Sequence, residues 1–191
     1  MLNIYVDTMN PLLESGAYKK IDEVKAAIQS GANINQTDMY GCTPLLFVCN
    51  NGCLPIIKLL LANKANVNQT AFDGRTPLMA AATHYPTVNP DGVIETLLTN
   101  GANIDQFDIH HNTPLIHATM LCNANGVKQL LANKANALIT NIYGNTALTI
   151  AARMGYKDIK NILRNHVYSI LVETGLTVLP RDILREIINY L

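Results

Sequence analysis

An all-α solenoid of short helix-turn-helix units is the architecture this sequence predicts. The clearest sign is a period: Thr43-Pro44-Leu45 returns as Thr76-Pro77-Leu78, Thr113-Pro114-Leu115 and Thr146-Ala147-Leu148, at spacings of 33, 37 and 33 residues. A second marker keeps the same register, since Gly31-Ala32-Asn33-Ile34-Asn35 recurs at Lys64–Asn68, Gly101–Asp105 and Lys134–Leu138. The third sign is an apolar stripe, Ile56, Leu59 and Leu60 with Ile57 and Leu61 beside them, which gives a unit's second helix a side to bury. A period of this length means that each unit covers its apolar face only by stacking on its neighbours.

Taken in order, the first unit spans residues 1–35 and is a worn copy. Stepping 33 residues back from Thr43 gives Asn10-Pro11-Leu12, without a tip before it, and Glu14, Lys19, Lys20, Asp22, Glu23 and Lys25 suit a cap with one face in water. Units follow at 36–68, 69–105, 106–138 and 139–173. In each, Thr caps the free N–H groups of a first helix, and in all but the 139–173 unit, where Ala147 stands, Pro at its first turn loses no hydrogen bond. Gly41, Gly74 and Gly144 stand where a tight hairpin tip requires positive φ. The 69–105 unit carries four extra residues, so Thr83-His84-Tyr85-Pro86-Thr87-Val88-Asn89-Pro90-Asp91-Gly92 is expected to lengthen the turn between its helices. In the next unit His111 replaces the tip glycine, and that hairpin is expected to be reshaped.

These residues resemble the ankyrin repeat, whose pattern is D-x-x-G-x-T-P-L, two short helices, then G-A-[DN]-[VI]-N, over about residues 10 to 166. The resemblance implies about five helix-turn-helix repeats with short β-hairpin tips. It also implies a target protein held on the tips and on the exposed face of the first helices. The register then supplies the residues: Met39, Phe72, Ile109 and Ile142 at one tip position, and Tyr40, Asp73, His110 and Tyr143 at the next. The helix face supplies Asn50, Asn51, Thr83, His84, Met120, Leu121, Arg153 and Met154, with Tyr85 on the insertion and Phe107 and Arg75 completing the surface. Aromatic, Met and Arg side chains are the usual interface anchors. The alternative is that Met39, Ile109 and Ile142 pack between neighbouring hairpins. Leu46, Met79, Ile116 and Thr149 stand where the family usually has His after Thr-Pro-Leu, so its customary hydrogen bond is not expected. Asn35 and Asn68 occupy a position that an asparagine hydroxylase modifies in similar proteins.

Composition narrows the classes further. Fourteen basic residues balance fourteen acidic ones, so no net field draws the chain to nucleic acid or an anionic membrane. No apolar run reaches the roughly 18 residues of a membrane span, and the start has no secretory pattern. Cys42, Cys49, Cys53 and Cys122 read as reduced thiols, Cys49 in a core position and Cys53 in a turn, which fits a monomer in the cytoplasm. His84, His110, His111 and His117 lack the carboxylate or Cys partners a metal site needs. With no phosphate loop, nucleophile elbow or paired carboxylates, no enzyme, cofactor or metal is expected.

The tail changes character. Ile159, Ile162, Leu163, Val167, Ile170 and Leu171 keep helical spacing to about Glu173, before a Gly175 stop. Residues 176–191 then hold a second amphipathic segment, with Ile183, Leu184, Ile187, Ile188 and Leu191 on one side and Arg181, Arg185, Glu186 and Asn189 on the other. This segment is similar to the first helix of an F-box, L-P-x-[ED]-[LI]-L-x-x-I-[LI]-x-[YF]-L, in the truncated form of PRANC-type ankyrin proteins of poxviruses and intracellular bacteria. That resemblance implies binding to a Skp-type adaptor of a cullin-RING ubiquitin ligase through Leu179, Pro180, Ile183, Leu184, Ile187, Ile188 and Leu191. It also implies a pathogen effector acting in a host cytoplasm or nucleus. A SOCS box fits less well, since its Leu-x-x-x-Cys segment has no counterpart near Ser169–Gly175. The competing expectation is a scaffold or inhibitor whose last helix only caps the solenoid.

Overall fold

The computed structural model describes residues 17–83 and 92–173. Among them the chain is helical and has no strand. Its helices are α1 (Ala17–Gln29), α2 (Pro44–Asn51), α3 (Leu54–Ala62), α4 (Pro77–Ala82), α5 (Val93–Thr99), α6 (Pro114–Met120), α7 (Ala124–Ala132), α8 (Ala147–Arg153) and α9 (Lys157–Glu173). The first helices α2, α4, α6 and α8 stack in one layer, and α1, α3, α5, α7 and α9 stack behind them. The predicted solenoid is therefore present.

Each first helix begins as its sequence dictates. The hydroxyl oxygens of Thr43, Thr76, Thr113 and Thr146 accept from the N–H groups of Leu46, Met79, Ile116 and Thr149 at 3.1, 3.1, 3.3 and 3.2 Å. Loss of such a cap typically costs about 1 kcal/mol. The second helices bury the expected stripes, with Ile56, Ile57, Leu60, Ile94, Leu97, Val127 and Leu130 sealed from solvent. Cys49 is buried in this core, and burial pushes its thiol far up from the ordinary value. Cys53 stands at the start of α3 and Cys122 is exposed in a turn.

One side chain locks the 106–138 unit to the one before. Asn123 accepts from the Gly126 N–H at 2.9 Å, capping α7, and donates to the Ala82 carbonyl at 3.0 Å. Gly126 is required there, because a Cβ would stand 2.7 Å from the Asn123 amide nitrogen. Further joints run along the fingers that end each unit. Asn35, Asn68 and Asp105 accept from the N–H groups of Asn66, Asn103 and Asn136 at 2.8, 2.8 and 2.9 Å.

The connection from α4 to α5 runs from Thr83 to Gly92, so the extra residues do lie between the helices of that unit. His84 and Tyr85 fall outside the described residues, as do Asn10-Pro11-Leu12 and the whole 176–191 tail with its adaptor-binding residues. Helix α9 is described as far as Glu173, with Ile159, Leu163 and Val167 buried.

Candidate protein-binding face

The tips are turns joined edge to edge. Phe72 N–H donates to the Tyr40 carbonyl at 3.0 Å, Ile109 N–H to the Asp73 carbonyl at 3.1 Å, and Ile142 N–H to the His110 carbonyl at 3.0 Å. One bond per step holds the four tips in a row. Backbone pairing consumes the polar groups and leaves the side chains free to face outward.

Met39 is 79% exposed, Phe72 77%, Ile109 60% and Ile142 54%, so the tip residues do not pack between hairpins. Tyr40, Tyr143, Phe107, Met120, Leu121 and Met154 are exposed as well, and so are Asn50, His110 and Arg153. Asn51 departs from the expectation: it is half-buried, and its amide nitrogen is sealed from solvent with no hydrogen-bond partner. It is a weak candidate for contact. Thr83 is half-buried, its hydroxyl spent on the Ala80 carbonyl at 2.8 Å.

His111 does not reshape its tip. It adopts φ +58°, the left-handed conformation that Gly41, Gly74 and Gly144 hold at +78°, +81° and +72°. Its ring stacks against Phe107 with centroids 4.3 Å apart. The turn survives because Asp108 fastens it.

Asp108 was not singled out by sequence reasoning, yet it organises the polar interior. Its Oδ1 accepts from the His110 and Asn112 N–H groups, both at 2.8 Å. Its Oδ2 accepts from the Asn112 side chain at 3.2 Å and lies 2.9 Å from His117 Nε2. Asn112 Oδ1 in turn accepts from the Asn141 amide at 3.0 Å, and Asn141 Oδ1 accepts from the Tyr143 and Asn145 N–H groups. Burial works to raise the Asp108 carboxyl, but the bonds from Asn112 and His110 and the neighbouring His117 outweigh it and hold the group below its ordinary value. Burial pushes the His117 imidazole below its ordinary value, against the pull of Asp108; Arg75 adds to the lowering and Asp73 opposes it. His117 therefore donates its Nε2–H to an ionised Asp108.

Two pockets open under the row. One, of about 270 Å³, lies between the first two tips, with Tyr40, Phe72, Cys42 and the Asp73–Arg75 pair around it. Arg75 Nε donates to Asp73 Oδ2 at 2.7 Å. The other, of about 340 Å³, lies between the last two tips, over Asn112, Asn141 and Ile150 and between Met120, Met154, Tyr143 and Arg153. Among the described residues no group of three or more His, Cys, Asp or Glu side chains is placed to hold a metal ion. No helix among them is long and apolar enough to cross a membrane.

Stacked helix pairs with tips in a bonded row and an exposed apolar edge define a repeat module of the protein-binding kind. Ankyrin repeats, in three copies, match residues 12–108 and 89–173, so the chain belongs to the ankyrin-repeat family, whose members are typically non-enzymatic protein-interaction domains. No F-box or PRANC motif is detected in it, and no curated protein matches the chain.

Proposed function

We propose that the chain is an adaptor that holds a target protein across its row of tips and the adjoining ends of the first helices. The observation that carries this reading is the alignment of exposed Met39, Tyr40, Phe72, Ile109, Ile142 and Tyr143 by cross-tip backbone bonds. Pre-ordered apolar and aromatic side chains bind at a low entropic cost. The test is site-specific photocrosslinking from Phe72 and Ile109, with exposed Lys58 and Lys128 on the opposite layer as controls. The same partner should crosslink from both tips and from neither lysine. A partner whose affinity is unchanged by combined Tyr40→Ser, Phe72→Ser, Ile109→Ser and Tyr143→Ser substitution rules the reading out.

The second part of the proposal concerns the tail. The run Leu179-Pro180 followed by Ile183, Leu184, Ile187, Ile188 and Leu191 supports recruitment of a Skp-type adaptor of a cullin-RING ubiquitin ligase, in the manner of a pathogen effector working in host cytoplasm. A pull-down with purified Skp-type adaptor should succeed with the full chain and fail with a chain ending at Gly175 and with Leu179→Ala/Pro180→Ala. Equal capture by all three, or by none, assigns the tail to capping instead.

A further inference from the structure

We infer that the pocket between the last two tips takes a large apolar side chain from an extended segment of the partner, with a carboxylate as that segment's next side chain. The inference rests on the tip-row reading and names the chemistry of what the row holds.

The floor of this pocket is polar by composition but closed by bonding. Asn112 and Asn141 each have both the amide nitrogen and the amide oxygen engaged, with one another, with Asp108 or with tip N–H groups. An apolar occupant strands none of these groups, and a polar occupant gains little from them. Ile150 is buried at the bottom, and Met120 and Met154 form walls that adapt to shape.

The mouth has the opposite character. The Arg153 guanidinium reaches only the Asn145 side-chain oxygen, at 3.5 Å, and has no carboxylate partner among the described residues. No Asp or Glu lines the pocket. A cation without a counter-ion thus stands beside an apolar hole. At the other tip pocket Asp73 already neutralises Arg75, so among the described residues of these two pockets Arg153 is the one Arg left unmet for an acidic group. Charge-assisted bonds to Arg are among the stronger polar contacts at interfaces.

The experiment selects a displayed library of random linear peptides on the full chain, and the selected peptides serve as labelled probes in fluorescence polarisation. Enrichment of Leu, Met or Phe followed by Asp or Glu is expected. Arg153→Glu should weaken those probes about tenfold and favour versions with Lys in the acidic place. Arg153 is exposed, so circular dichroism should show the variant fold unchanged. Enrichment without an acidic preference, affinity indifferent to Arg153→Glu, or no binders at all overturns the inference. So does binding that appears only once residues 176–191 are removed, which gives the pocket to the chain's own tail. Self-association abolished by Arg153→Glu overturns it too, by giving the pocket to a second copy. Probes lost on Phe72→Ser yet insensitive to Arg153→Glu sink this inference and leave the tip-row reading standing.

Discussion

Between the Met39-Tyr40 and Phe72-Asp73 tips the chain keeps its charges at the surface, whereas between the Ile109-His110 and Ile142-Tyr143 tips it draws its polar side chains inward. The same turn position is Asp38, Ala71, Asp108 and Asn141 along the row. Asp38 makes two bonds, to the Tyr40 and Cys42 N–H groups at 2.8 and 2.9 Å, from a half-exposed site. Ala71 makes none with its side chain, and Asp73 serves that tip by accepting from Arg75 N–H at 3.0 Å. Asp108 is 5% exposed and gathers His117, Asn112 and, through it, Asn141. One register can thus be closed by a local turn or by a network spanning two units.

Removing the hub should have the largest effect. Asp108→Ala leaves buried donors unpaired and is expected to cost about 3–4 kcal/mol, against about 1 kcal/mol for Asp38→Ala, in urea unfolding. Equal losses would break the comparison. Next come the tip glycines. A Cβ at Gly74 would stand 2.9 Å from the Asp108 Cα with φ at +81°, so Gly74→Ala should cost about 2–3 kcal/mol. Gly144 has nothing within 4 Å of a Cβ, so Gly144→Ala should cost only the conformational term, about 1 kcal/mol.

Acid should separate the halves further. Because His117 is lowered in the folded chain, the unfolded chain takes up that proton first. Stability is therefore full above the ordinary value of 6.5 and is lost as pH falls below it toward the folded value. Asp108 is lowered as well, and adds a second loss as pH falls below 3.8. His117→Phe, which copies Phe47 at the matching position, should remove the first loss while leaving the second, as read from thermal unfolding across pH. The smallest effect is expected at Lys134, which holds φ +68° where Gly31 and Gly101 stand in other units. Lys134→Gly should raise stability by about 0.5 kcal/mol, as relief of the left-handed conformation slightly exceeds the entropy glycine adds to the unfolded chain.

Much of this architecture could be read from period alone. Thr-Pro-Leu placed the first helices, and the apolar stripe placed the second. The tip row followed from counting, and Met39, Ile109 and Ile142 proved exposed where periodicity left packing open. What counting missed were bonds between unlike positions. Asp108 and His117 lie nine residues apart across a turn and a helix, and Asn112 and Asn141 lie in successive units. Periodicity reports which positions correspond, and it is silent on which polar side chain turns inward. His111 misled for a related reason: with the Asp108 carboxylate accepting from the N–H groups on either side of it, a left-handed His111 keeps a turn that glycine would otherwise supply. The usual His after Thr-Pro-Leu is indeed replaced, yet His117, one position beyond it in a single unit, makes a bond to the tip.

The fingers carry one more consequence. Asn35, Asn68 and Asp105 each offer a side-chain oxygen to the following unit, and the corresponding residue in the next finger is Leu138. A leucine presents no acceptor, and the residues one period on lie within the long helix α9 rather than in another finger, so the relay stops there. The acceptor and the finger it would serve are thus missing together, so a further unit grafted after the 139–173 unit would need both an acceptor at position 138 and a finger sequence in place of the second half of α9.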